Sequence, residues 1–277
     1  MQQTYDQHAI VRQYVKWDHR LEYQDNAGLV VGRALQVACS PPYGPVYLSL
    51  PQEISLRQID GAKFPTLDQL GVPRPPAPDP EGIRKIAGRL LKARNPFVVV
   101  SGSGRNPATV RPLVHLCEML GVPVVNSISR AFLSFPFAHP LFQGSVSLNE
   151  ADLVLVIDAD IPWMPGPTAP GSNCYVAVID LDPAKQKFPT FEFSANLRLT
   201  ADPLLSINAL VAALEPLITP EHTEHFAARA AEWAKAADQR IRALQKEAIG
   251  RANVRPIDPL WLNYRIAKFL EEDDNIA

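Results

Sequence analysis

Apolar positions along this chain fall into two patterns: short unbroken runs and longer stretches that repeat with helical spacing. From residue 81 the two alternate. A helical stretch over 81–93 precedes the run Phe97-Val98-Val99-Val100, and another over 108–120 precedes a run over 122–125. Further runs cover 152–158, 175–180 and 197–200, and a helical stretch follows over 203–214. Near-continuous Val, Ile and Leu runs indicate strands buried on both faces, and helices between them indicate parallel crossovers. The pattern predicts the α/β class, a doubly wound parallel sheet over 81–217, with partial α/β segments on either side.

Upstream, a helix is expected over 26–38 with Leu29, Val30, Leu35 and Val37 among its apolar positions, and a strand over 46–50 closed by Pro51. The segment Val72-Pro73-Arg74-Pro75-Pro76-Ala77-Pro78-Asp79-Pro80 has five prolines in nine residues. It fits neither a helix nor a sheet interior, so a linker over 61–80 and a domain boundary are expected there. Downstream, Thr219-Pro220-Glu221 is a helix start, a capping hydroxyl before proline. Phe226, Ala230, Trp233, Ala237, Leu244 and Ala248 mark one face of a long helix that Gly250 ends. This connecting helix belongs to a segment over 218–255, and a last helix is expected over 258–270. Asn275-Ile276-Ala277 reads as the start of a strand, so the sequence is expected to be a piece of a longer one.

Composition narrows the function classes. The chain has 277 residues, 47% hydrophobic and 20% charged, with a formal net charge of −2 and no basic cluster. Nucleic acid or an anionic membrane would need a basic face, so neither is expected as a partner. Cys39, Cys117 and Cys174 lie far apart without a CxxC, which argues against a zinc site or a disulfide framework and for a reducing, cytoplasmic setting. No apolar run reaches the ~20 residues of a membrane span.

Candidate chemistry is concentrated after the strands. Ser101-Gly102-Ser103-Gly104-Arg105 joins a buried strand to a helix, where glycines let a phosphate approach backbone amides. Pro107 stands where a dinucleotide fingerprint has its third glycine, and Asn126 where it has an acid. Gly102, Ser103, Gly104 and Arg105 therefore read either as a nucleotide-binding turn or as a plain tight turn. Asp158, Asp160, Asp180 and Asp182 lie at or past two strand ends, open to ribose or metal binding or to turn and cap chemistry. His222 and His225, three apart, lack a third metal ligand. No nucleophile motif is present, so no catalytic residue and no metal site is expected in this chain.

Taken in order, these segments resemble the middle of thiamine-diphosphate-dependent enzymes of the acetolactate synthase, benzoylformate decarboxylase and pyruvate oxidase type. The similarity runs from Val11-Arg12-Gln13-Tyr14-Val15-Lys16 through Gly44-Pro45-Val46-Tyr47-Leu48-Ser49-Leu50-Pro51, then Asn95-Pro96 to Gly104. It continues with His139-Pro140-Leu141-Phe142-Gln143-Gly144, Glu150-Ala151-Asp152-Leu153-Val154-Leu155 and Ile179-Asp180-Leu181-Asp182-Pro183, and ends at Pro256-Ile257-Asp258-Pro259. The resemblance implies that 1–60 ends a pyrimidine-binding domain, 81–217 is the central domain, and 256–277 begins a pyrophosphate-binding domain. It implies a 2-oxo acid substrate, a homo-oligomer, and thiamine diphosphate with magnesium in the parent enzyme. The family's activating glutamate and its GDG…N motif have no counterpart here, so this chain alone is not expected to bind that cofactor. Arg12 and Lys16 match positions bordering the substrate channel. The Arg-Phe-Asp-Asp-Arg run of flavin-binding members is replaced by Asp160-Ile161-Pro162-Trp163-Met164-Pro165-Gly166, which argues against FAD.

Overall fold

A computed structural model describes residues 4–56, 58, 61, 63–127 and 132–272, so the expected strand start at Asn275-Ile276-Ala277 lies outside the described residues. The chain divides into two compact units, Met1–Ala77 and Pro78–Ala277.

The first unit runs helix α1 (Gln7–Val11), strand β1 (Trp17–Arg20), helix α2 (Ala27–Ala38), strand β2 (Val46–Ser49), and short helices α3 (Gln52–Ser55) and α4 (Leu67–Leu70). β1 and β2 pair in parallel, with Trp17 opposite Val46 and Arg20 opposite Ser49. Parallel neighbours need a crossover, and α2 supplies it. Asn26 starts α2 by accepting a hydrogen bond from the Leu29 amide. The buried positions of α2 are small: Gly28, Gly32 and Ala34. A β carbon on Gly28 would stand 2.2 Å from the Lys63 carbonyl oxygen, so the segment around Lys63 rests directly on the helix backbone. β1 has no counterpart in the hydrophobic pattern, because Trp17-Asp18-His19-Arg20 has one apolar residue and none of the four is fully buried.

The second unit contains helix α5 (Pro80–Lys92), β3 (Pro96–Val100), α6 (Val110–Leu120), β4 (Val124–Asn126), β5 (Phe142–Gly144), β6 (Leu153–Ile157), β7 (Tyr175–Asp180), β8 (Leu197–Thr200), α7 (Pro203–Leu214), α8 (Pro220–Gly250) and α9 (Pro259–Glu272). The strands form one sheet in the order β5-β4-β3-β6-β7-β8, and every pair is parallel. The chain enters at β3, steps outward to β4 and β5, then returns to β6 beside β3 and steps outward the other way. That reversal places a switch point between the carboxyl ends of β3 and β6.

β3 and β6 are buried at every position. One face of the sheet packs on α5, α6 and α7 through Ile86, Leu90, Leu113, Leu116, Ile207 and Leu210. The other face, with Phe97, Val99, Val154 and Val156, is covered by Leu148, Ala151, Trp163 and Trp233 of α8. Irregular segments and part of α8 thus cover that second face. Trp233 meets Phe97 edge-on at 5.3 Å. The far part of α8 departs from the expected apolar face: Leu244 is 46% exposed, beyond the stretch that packs on the sheet. No described helix is long and apolar enough to cross a membrane.

Candidate functional site at the carboxyl edge

Strand register sets the level of the site. Val100 lies opposite both Asn126 and Ile157, and Ile157 opposite Ile179. The next residues out, Ser127, Ser101, Asp158 and Asp180, form a row along the carboxyl edge. Backbone bonds extend the pairing into this row: the Ser127 amide donates to the Val100 carbonyl at 2.8 Å and the Asp158 amide to Ile179 at 3.0 Å.

The glycine turn packs against the protein itself. The Gly102 amide donates to the Asp158 carbonyl at 2.7 Å, and the Arg105 amide to the Gly102 carbonyl at 2.9 Å. The Gly104 amide donates to the Ser134 hydroxyl at 3.0 Å, and that hydroxyl donates to the Ser101 carbonyl at 2.8 Å. A β carbon on Gly102 would meet Asp158 Oδ2 at 2.7 Å, and one on Gly104 the Leu133 carbonyl oxygen at 2.2 Å. Backbone therefore excludes a side chain at Gly104, whereas at Gly102 the obstacle is the Asp158 carboxylate. Two 3₁₀ turns, Ser103–Arg105 and Pro107–Thr109, separate this loop from α6. Among the described residues, the buried Ser103 Oγ, Asn126 Oδ1 and Ser127 Oγ at this edge find no hydrogen-bond partner.

The acids divide into two groups. Asp160 and Asp180 are joined by Lys185, whose Nζ lies 2.7 Å from Asp160 Oδ1 and 2.7 Å from Asp180 Oδ2. Burial opposes the Lys185 charge, but Asp180 and Asp160 outweigh it and hold the ammonium above its ordinary pKa. Asp158 forms no ion pair with that lysine among the described residues. Burial, with the charge of Asp180 adding to it, pushes its carboxyl up to about 6. Asp158 and Lys185 also share positive φ angles, 49° and 50°. Strained backbone of this kind gathers at functional sites and tight turns alike. Asp182 does turn chemistry: its amide donates to Asp180 Oδ1 at 2.8 Å and its carboxylate accepts from the Gln186 amide at 3.1 Å. Sequence reasoning missed Lys185, for which the only signal is a lysine five residues past a strand-end aspartate.

The remaining sequence candidates are engaged elsewhere. Arg12 pairs with Asp18 at 3.2 Å, with its side chain 60% exposed. Lys16 donates to the Val37 and Ser40 carbonyls at 2.9 and 2.6 Å, closing the carboxyl end of α2. Asp18 also receives His8 Nδ1 at 2.8 Å, while His8 Nε2 lies 2.7 Å from Ser49 Oγ. His222 joins the Thr219 cap and stacks on Phe226, and His225 also lies against that ring.

No family model matches the chain. Among curated proteins it is 26% identical to benzoylformate decarboxylase of Pseudomonas aeruginosa over 242 residues, 78% of this chain and 42% of that protein. It is 31% identical to sulfoacetaldehyde acetyltransferase of Rhodobacter capsulatus over 162 residues, 57% of this chain and 26% of the relative. The large subunit of acetolactate synthase isozyme 1 of Escherichia coli is 26% identical over 57% of this chain and 29% of the relative. Benzoylformate decarboxylase from Polynucleobacter necessarius shares the fold with a TM-score of 0.61, at 23% identity over 72% of this chain and 38% of that one. Thiamine diphosphate-dependent 4-hydroxybenzoylformate decarboxylase of Rhodococcus jostii RHA1 does so with a TM-score of 0.59, at 22% identity over 73% and 40%. These relatives and solved structures all point to the thiamine-diphosphate-dependent enzyme family. It spans about two fifths of the length of the benzoylformate decarboxylase it matches.

That likeness raises the question of whether these residues can hold thiamine diphosphate. A diphosphate bound through magnesium needs several converging oxygen donors. Among the described residues no three His, Cys, Asp or Glu side chains come together for a metal. Asp160 and Asp180 already share the Lys185 ammonium. The donor set of the described residues does not fit a magnesium-bound diphosphate.

Proposed function

We propose that the protein supplies the central scaffold domain of an enzyme that acts on a 2-oxo acid by decarboxylation, with or without carboligation, in the manner of acetolactate synthases. The observation that carries this reading is similarity to benzoylformate decarboxylase over 78% of the chain. Within it, 1–60 is the end of a pyrimidine-binding domain, 61–80 a linker, 81–217 the central domain, 218–255 a connecting helix and 256–277 the start of a pyrophosphate-binding domain. The self-packed glycine turn and the Lys185 bridge support a scaffold role, because both knit the carboxyl edge together. Arg12 is this chain's candidate for the substrate channel, its guanidinium being largely exposed, whereas Lys16 serves α2. A homo-oligomer fits the apolar side chains left exposed on α2 (Leu29, Val31, Leu35) and α9 (Leu262, Ile266, Phe269), and light scattering measures it.

The test joins the chain to its neighbouring coding sequence and measures carbon dioxide release from a panel of 2-oxo acids with thiamine diphosphate and magnesium. Loss of a charge-assisted contact in Arg12→Ala should raise KM about 10-fold or more. Absence of release from every acid in the panel overturns the reading.

A nucleotide at the carboxyl edge is the second reading, and the orphaned Ser103, Asn126 and Ser127 atoms beside Asp158 favour it. Gly102, Ser103, Gly104, Arg105, Asp158, Asp160 and Asp180 would surround it. ADP and coenzyme A are the probes, read by calorimetry. FAD is not expected to bind, because Trp163 fills the place of the flavin-associated run and packs edge-on against Phe193 at 5.5 Å. A protein that stays yellow through gel filtration would show otherwise.

A further inference from the structure

The first unit holds a constellation that neither reading above uses. Side chains two residues apart on a strand share a face, and residues paired in register lie side by side. Asp18 and Arg20 of β1 therefore share one face with Tyr47 and Ser49 of β2. α1 lays His8 across that face, its ring edge-on to Tyr47 at 5.0 Å. His8 Nδ1 is 2.8 Å from Asp18 Oδ2, and His8 Nε2 is 2.7 Å from Ser49 Oγ.

Asp18 fixes the direction of the first of these bonds. An ionised carboxylate only accepts, so Nδ1 carries the proton, and an imidazole protonated there alone offers Nε2 as acceptor to the Ser49 hydroxyl. Asp18 remains ionised, since hydrogen bonds from Arg12 and then from His8 hold its carboxyl below the usual range. His8 is 7% exposed, so little water competes for its two bonds. A serine hydroxyl, an imidazole base and a carboxylate that orients it make up the geometry of an activated nucleophile. The amide after the serine, that of Leu50, makes no hydrogen bond among the described residues, and Leu50 is 61% exposed. That amide is the donor available to an oxyanion formed at Ser49.

We propose that Ser49 is a nucleophile, with His8 as its base and Asp18 as the positioning residue, and that it accepts acyl groups from activated esters or thioesters. The bond from Ser49 Oγ to the acyl carbon forms as the hydroxyl proton moves to His8 Nε2. The bond to the leaving group breaks as that proton passes to the departing alkoxide or thiolate. Water then attacks the acyl-serine by the same route, releasing the acid and restoring Ser49. Nothing is oxidised or reduced.

The 277-residue chain is incubated with an alkyl fluorophosphonate, digested, and each serine peptide quantified by mass spectrometry. Ser49 should be phosphonylated at least about 100-fold faster than exposed Ser55, the range of general-base assistance. His8→Gln should abolish that advantage. Asp18→Asn should reduce it and also move His8 to the Nε2–H tautomer, read by nitrogen NMR, which a merely structural aspartate would not do. Labelling of Ser49 no faster than Ser55 in the unaltered chain overturns the proposal, whether or not the variants fold. So does labelling that His8→Gln leaves intact.

Discussion

At φ 49°, Asp158 holds a left-handed conformation that aspartate and asparagine adopt more readily than most residues, with its carboxyl pushed up to about 6, chiefly by burial. The two properties can be separated by Asp158→Asn, which keeps the shape and the turn preference but cannot ionise. A folded-state pKa raised from 3.8 to about 6 means that the folded chain binds more protons than the unfolded one between those values. Stability should therefore fall as pH rises from about 4 to about 6 and level off above, the opposite of a salt-bridged aspartate. The penalty at neutral pH is on the order of 3 kcal/mol. Asp158→Asn should recover it at pH 7.5 and show little gain near pH 4, measured as urea midpoints. An equal gain at both pH values would assign the effect to packing instead. Asp158, Asp160 and Asp180 were legible as strand-end acids from the sequence. The split between them was not, because it depends on Lys185 folding back from a loop, and nothing in the local pattern announces that a lysine will be buried.

Among the elements, α8 shows how far pattern reasoning reaches. Its start at Pro220 after the Thr219 cap and its end at Gly250 are both written in local residues. Its attachment is not. Arg229, three residues after Phe226, reads as a solvated charge, yet it is 6% exposed and donates to the carbonyls of Ala93 at 2.9 Å, Gly121 at 3.2 Å and Leu120. Those carbonyls belong to the ends of α5 and α6, which have no intrahelical partners. Burial lowers the guanidinium to about 10, so it stays charged at neutral pH. Arg229→Met leaves buried carbonyls unpaired and should cost about 3 kcal/mol or more of second-unit stability. Gly121→Ala tests the same junction from the other side. Gly121 has φ 60°, and a β carbon there would lie 2.1 Å from the Phe226 carbonyl oxygen, so the substitution should cost about 2 kcal/mol or more. Because both act on one interface, the double variant should lose less than the sum in chemical denaturation followed by circular dichroism. The three-residue strand β5 was also beyond the hydrophobic pattern, since Phe142-Gln143-Gly144 offers one large apolar side chain. What holds it is again α8, through Arg240 to Gln143 at 2.9 Å and to the Phe142 carbonyl at 2.6 Å.

For the whole molecule, likeness to a family and a cofactor site of its own are separate matters. The matched relatives point to thiamine-diphosphate-dependent enzymes, while among the described residues no three acidic, histidine or cysteine side chains gather as a metal-bound diphosphate needs. The cofactor has two demanding ends: a doubly charged diphosphate held through magnesium by carboxylate and carbonyl oxygens, and an aminopyrimidine held in an apolar cleft. At the carboxyl edge the amides of Gly102, Gly104 and Arg105 are spent on internal bonds, and Asp160 and Asp180 on Lys185. Freeing them would break the contacts that hold the turn, so little binding energy would remain. The 277-residue chain is therefore expected to give no saturable heat when thiamine diphosphate and magnesium are titrated into it. It should also leave pyruvate unchanged over hours. A micromolar constant would correspond to about −8 kcal/mol and could not come from stray surface charges. Stoichiometric heat of that size would mean that these residues do form a cofactor site, and the scaffold reading would have to give way.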